Sequence, residues 1–169
     1  LIMRKETVEY EVYKFEELSD EAKEKVLDHF RYFNVEHDWW EYTYDDAKNV
    51  GIEITGFDLD RGRNITGKFI YSAKDTAESI IKEHGKDCNT YKLAKKYLDD
   101  IIPIEMMEKF TEELDEDKLE EISEEFLKDI LHEYFKILKN EFEYLTSDEC
   151  IKESIECNDY EFLKNGKIY

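Results

Sequence analysis

The stretch DEDKLEEISEEFLKDILHEYFKILKNEFEYL, residues 115–145, decides the fold of the second half of the chain. Apolar residues return in it every three or four positions, which is the spacing of one face of an α-helix. These residues are Leu119, Ile122, Phe126, Ile130, Tyr134, Ile137 or Leu138, Phe142 and Leu145. The pattern predicts one helix of roughly seven or eight turns with a continuous apolar seam.

Carboxylates occupy the faces of this predicted helix that the seam leaves free. Eleven of them lie between Glu112 and Glu133: Glu112, Glu113, Asp115, Glu116, Asp117, Glu120, Glu121, Glu124, Glu125, Asp129 and Glu133. A helix of that length spans about 33 Å, so an acid occurs about every 3 Å. Phosphates of a single DNA strand are spaced by about 3.4 Å. Two interpretations stay open: a merely solvated surface, or a surface that mimics nucleic acid and binds a basic groove.

The charge of the chain is segregated. Of a formal net charge of -20, residues 105–161 contribute 21 acids against 6 lysines, and the rest of the chain 23 acids against 18 bases. Direct nucleic-acid binding is disfavoured, because it requires a basic patch. Three cysteines without a C-x-x-C pair predict no disulfide framework, and no run of 18 apolar residues predicts a membrane span. We expect a protein of the reducing cytosol.

Other local patterns predict an α+β fold with one small antiparallel sheet and helices packed on one of its faces. The stretch from Val8 to Phe15 alternates like a half-buried strand, and residues 52–71 form a hairpin that turns at 60–64. The Asn165-Gly166 pair predicts a closing hairpin. We expect a single domain over residues 1–169, with an α/β part (1–88 and 146–169) and an acidic helical part (about 89–145).

Capping residues predict where the shorter helices begin and end. Serines at 19, 72 and 147 and Asp38 precede four of them, and glycines at 51 and 85 follow two. A further helix begins at Thr90, and Pro103 is expected to kink or end it. Met106, Met107 and Phe110 then follow, for which a place in the core at the hairpin tip is favoured over an adaptable contact surface.

No motif of a nucleotide-binding loop, a nucleophile elbow or a zinc protease occurs in the chain. We therefore predict no catalytic residue, no metal and no cofactor. Two weaker sites stay open. Asp58 and Asp60 are carboxylates that a metal-dependent enzyme would use, and Trp40 with Tyr44 is an aromatic surface that would contact a partner.

The first part of the chain carries a family resemblance over roughly residues 10–70. Five segments resemble small, largely uncharacterised proteins of bacteriophages and prophages, some labelled antitoxin-like. They are YKFEELSDEAK (13–23), Asn34-Val35, DWWE (38–41), DDA (45–47) and Ile54-x-Gly56-Phe57-Asp58. The family tends to have a Gly-aromatic hairpin where this chain has the charged residues 58–63. The resemblance implies a phage protein but no catalytic residue.

Charge and resemblance together predict a non-enzymatic phage inhibitor of the anti-defence, anti-restriction or anti-CRISPR type. Its partner would be a basic, nucleic-acid-handling host protein. The expected contact residues are Glu113, Glu116, Asp117, Glu120, Glu121, Glu124, Glu125 and Trp40. The first alternative is an antitoxin-like protein that neutralises a toxin through its aromatic surface, and the second is the metal-dependent enzyme with Asp58 and Asp60.

Overall fold

A computed structural model of the chain describes residues 3–111 and 113–169. Over these residues the protein has six α-helices and two separate two-stranded antiparallel sheets, which confirms the α+β class. The expected single sheet is wrong. The elements are β1 (Val12–Tyr13), α1 (Asp20–Phe30), α2 (Glu41–Asn49), β2 (Ile52–Asp58), β3 (Asn64–Phe69), α3 (Ala73–Glu83), α4 (Asn89–Thr111), α5 (Glu116–Leu145), α6 (Asp148–Cys157) and β4 (Phe162–Leu163).

The chain divides into two compact units with boundaries that differ from the parts expected from the sequence. The terminal unit comprises the chain up to Trp39 together with Glu141–Tyr169, and the central unit is Trp40–Asn140. Helix α5 is continuous across the boundary at 140. No helix in the described ranges is both long and apolar enough to cross a membrane.

The terminal unit is built on the pairing of the two ends of the chain. Strand β1 pairs with β4, and its core contains Val26, Phe30, Ile155 and Phe162. The strand expected from Val8 to Phe15 is wrong for most of its length, because only Val12 and Tyr13 form a paired strand. Strand β4 has only two residues, and these pair with Val12 and Tyr13, so Val8 and Tyr10 before β1 have no strand partner there and stay exposed. On its other side, Phe162 of β4 bridges Ile168.

The central unit packs four helices and the β2–β3 hairpin around one core. Ile52 and Ile80 are buried there with Ile101, Ile130 and Tyr134. The predicted hairpin is confirmed, with an irregularity between Ile54 and Gly56 that shifts the register by one residue. These contacts hold β2, β3 and α5 together, and candidate surfaces described below lie on these elements.

Local helix signals are mostly confirmed. The hydroxyls of Ser19, Ser72 and Ser147 accept from backbone N–H groups three residues on, and Gly51 ends the α2 segment with a φ of +100°. Asp38 is not a cap, because α2 begins two residues later than predicted, after Trp40.

Helix α4 runs through Pro103 instead of ending there. Proline removes one helical hydrogen bond and disfavours the preceding turn. Ile101 and Ile104 on either side are buried, so tertiary packing holds the helix together past the proline.

Candidate protein-binding surface

The acidic surface begins at the N-terminus of α5. Asp115 accepts from the backbone N–H of Lys118 at 3.1 Å, which fixes the start of the helix at Glu116. Glu116 and Asp117 lie in the first turn, where the helix dipole favours negative charge. The expectation that acids from residue 112 onward share one helix is therefore corrected: Glu113 precedes α5, and Glu112 lies outside the described residues.

All seven predicted acidic contact residues are exposed: Glu113, Glu116, Asp117, Glu120, Glu121, Glu124 and Glu125. We call these seven the acidic stripe. Phe126, Ile130 and Tyr134 of the same helix are buried in the core of the central unit. The six helical members of the stripe therefore face solvent on the side of α5 away from its apolar seam.

Internal ion pairs neutralise little of the acidic stripe. Glu125 Oε1 lies 3.7 Å from Lys96 Nζ on α4. The other six members form no ion pair among the described residues. Six carboxylates thus present their charge to solvent between Glu113 and Glu124, and this field attracts cationic surfaces.

An apolar patch adjoins the start of the stripe. Met106, Met107 and Phe110 at the end of α4 are 52%, 60% and 81% exposed, so their expected place in the core is wrong. A cleft of about 520 Å³ is lined on one side by α4 and on the other by residues 113–115 and Lys118, of which Glu113 belongs to the stripe. Its lining includes Met107 and Glu113, which places apolar and acidic groups in one continuous surface.

Trp40 and Tyr44 form a half-buried aromatic cluster with Phe57. The ring centroids of Trp40 and Phe57 are 5.9 Å apart, and those of Tyr44 and Phe57 are 6.2 Å apart. Both pairs meet at steep angles, as aromatic rings in protein cores prefer. Burial raises the pKa of the Tyr44 hydroxyl. Trp40 is half-buried, and its ring contacts Phe57 of β2.

Asp58 uses its carboxylate to hold the turn between β2 and β3. One oxygen accepts from the Gly62 N–H at 2.8 Å and the other from the Asp60 N–H at 2.8 Å. These backbone hydrogen bonds, that from Gly62 first, lower the pKa of Asp58. Within the described ranges no group of three or more His, Cys, Asp or Glu side chains is arranged to hold a metal ion.

The central unit also contains a polar network that the sequence patterns do not indicate. Tyr134 donates to Asp46 at 2.9 Å, and Asp46 lies 3.5 Å from His84 Nε2. His84 Nδ1 is 2.7 Å from the hydroxyl of Thr90, which is buried. Burial, and then the neighbouring Asp46, raises the pKa of Tyr134. Tyr134 and Thr90 are buried, whereas Asp46 is exposed, so the network runs from the core to the surface of the central unit.

Comparison of the chain with protein-family models, curated proteins and solved structures gives no match. The resemblance of residues 10–70 to phage proteins therefore stays a prediction.

Proposed function

We propose that the chain is a non-enzymatic phage-type inhibitor that acts in the bacterial cytosol. The inhibitor is of the anti-defence, anti-restriction or anti-CRISPR type. It binds a basic, nucleic-acid-handling host protein through the acidic stripe. The observation that carries this proposal is the exposure of all seven acids, six of them without an ion pair among the described residues. A partner that neutralises these charges gains a charge interaction that the chain itself does not supply.

The spacing of the stripe supports nucleic-acid mimicry. Glu116 to Glu125 places six carboxylates within ten helical residues, or about 15 Å. One DNA strand presents about one phosphate per 3.4 Å. The carboxylates along α5 are therefore at least as dense as the phosphates that a basic groove of a DNA-binding protein would contact. Such attraction accelerates association and weakens as salt is added.

The apolar end of α4 supports a protein partner over a small ion. Interfaces combine a desolvated apolar centre with a polar rim, and methionine adapts its shape to the opposing surface. Met106, Met107 and Phe110 supply the apolar part beside the stripe. Charge then guides the encounter, and the patch contributes short-range contacts.

The test immobilises the chain, applies bacterial lysate and elutes retained proteins with a salt gradient. A stripe variant replaces four acids by lysine: Glu116, Glu120, Glu121 and Glu124. A control variant makes the same change at four exposed acids elsewhere: Glu6, Glu9, Glu36 and Glu156. Both variants move the formal charge from -20 to about -12. Circular dichroism checks that each keeps its helix content.

We expect retained nucleic-acid-binding proteins that duplex DNA displaces, with retention lost in the stripe variant and kept in the control. Equal retention by the wild type and the stripe variant contradicts the proposal. Equal loss in both variants shows attraction to net charge without a defined site, and also contradicts it. The antitoxin alternative predicts a partner that is retained at high salt and is lost on Trp40→Ala.

A further inference from the structure

Strand β3 has one side without a strand partner in the described parts of the chain. It pairs with β2 alone, and Ile70 N–H donates to the Gly51 carbonyl at 2.8 Å at the end of this ladder. Hydrogen-bonded and non-bonded pairs alternate in antiparallel sheets. The Glu53–Lys68 pair is therefore bonded, and the Ile54–Gly67 pair is not. It follows that the N–H and C=O of Gly67 point away from β2.

This outer side of β3 borders a groove of about 680 Å³ whose other wall is α5. Residues 63–67 line it from the strand. Two rows of α5 residues at four-residue spacing line it from the helix: Leu127, Leu131 and Phe135, and beside them Glu124, Lys128 and His132. Residues four apart lie on one helix face, so the groove has an apolar floor and a polar rim that run along the strand.

Gly67 brings the strand and the helix together at the groove. A Cβ atom at this position would lie 2.7 Å from Leu131 Cδ2 and 2.8 Å from the Glu53 carbonyl oxygen. These distances are shorter than contacts between packed atoms. The absence of a side chain therefore lets the apolar floor reach the strand where its free backbone groups lie.

We propose that the groove binds an extended, cationic segment of a partner protein, which adds to β3 as a third strand. Unpaired backbone groups at strand spacing are complementary to an extended chain, and an apolar floor takes its alternate side chains. The net charge of -20 favours a cationic segment and opposes edge pairing between two copies of this chain. The inference goes beyond the proposed function and does not depend on it, because the sign of the partner's charge follows from the net charge of this chain.

The test uses a capped peptide of about eight alternating lysine and valine residues, a length typical of one strand. Amide hydrogen exchange of the isotope-labelled full chain is measured by NMR with and without the peptide. At saturation we expect exchange of the Gly67 amide to slow by about tenfold or more. The Lys68 amide, which already bonds to β2, serves as the internal reference and changes little.

A second peptide carries N-methyl groups on alternate residues along one edge, which keeps its charge but removes the edge donors. We expect it to lose the protection of Gly67. Two protein variants of equal charge, Leu127→Arg in the groove floor and Ile137→Arg on an exposed part of α5, separate groove binding from repulsion of the peptide. Only Leu127→Arg is expected to weaken binding beyond the general effect of charge.

The proposal is overturned if the first peptide does not bind, if it binds without slowing the Gly67 amide, or if the methylated peptide protects equally. Failure here does not carry over to the acidic stripe, because only Glu124 of the four acids replaced in the lysate test also lines the groove. Conversely, strand addition with unchanged lysate binding in the stripe variant would leave this inference standing and remove the proposed function.

Discussion

Replacing Glu120 and Glu121 together by glutamine is expected to stabilise the protein. Each carboxylate has an acid four residues before it and another four residues after it on α5: Glu116 and Glu124 around Glu120, and Asp117 and Glu125 around Glu121. Like charges at this spacing destabilise a helix by about 0.2 to 0.5 kcal/mol per pair. Removing four repulsive pairs raises the free energy of unfolding by about 1 to 2 kcal/mol at low salt.

Urea unfolding followed by circular dichroism measures this gain. Urea is uncharged and does not change the ionic strength, so the salt concentration can be varied independently. The gain should be largest near 0.01 M salt, where the Debye length is about 30 Å, and small near 1 M, where it is about 3 Å. Glu141→Gln is the matched control, since Ile137 and Leu145 are its neighbours four residues away. Its effect should stay within about 0.5 kcal/mol.

A double variant that is less stable than the wild type, or a gain that does not shrink with salt, would refute this reasoning. A gain that salt removes would mean that the acids of the stripe lower the stability of the chain. Residues that lower stability are typical of functional surfaces. The measurement therefore also bears on whether the stripe serves only as solvated surface.

Three further predictions concern the central unit. Tyr134→Phe removes the hydrogen bond to Asp46 and should lower the free energy of unfolding by about 1 to 2 kcal/mol. Because burial raises the pKa of Tyr134, the stability of the wild type should also fall as the pH rises above about 10, and this fall should be smaller in the variant. Because the pKa of Asp58 is lowered, its carboxylate contributes stability at pH values above its pKa in the unfolded chain, near 3.9. The NMR shifts of the turn amides that bond to Asp58 should therefore change only as the pH falls below about 4. In Asp58→Ala this change should be absent. Gly67→Val should lower the free energy of unfolding, measured with urea, by about 1 to 3 kcal/mol, because the new side chain clashes with Leu131. In a Leu131→Ala background this loss should be smaller. Purely additive effects of the two substitutions would contradict the clash.

Features that depend on near neighbours in the chain were predictable from the sequence. Ser72 and Ser147 cap their helices, because a hydroxyl needs only the amide three residues on. The exposure of the acidic stripe followed from helical spacing relative to the seam. Spacing alone left Ile137 and Leu138 as equal candidates for the core, and in the structure Leu138 is fully buried while Ile137 stays 44% exposed.

Features that depend on a distant partner were not predictable. The stretch before Val12 has a strand pattern, yet β4 is too short to pair with it. Met106 and Phe110 follow the helical period of α4, but this end of the helix lies beyond the packed core, so both are exposed. The network of Asp46, His84 and Tyr134 joins three elements that no local spacing relates.

The sequence by itself determined the α+β class, the long acidic helix and the face on which its charges lie, because periodicity and capping act within a few residues. Only the tertiary structure decided that the strands form two sheets, that the end of α4 is an apolar patch beside the stripe, and that β3 and α5 border a groove. The physical reason is that pairing, burial and clefts depend on which distant residues meet, and composition and spacing do not encode that choice.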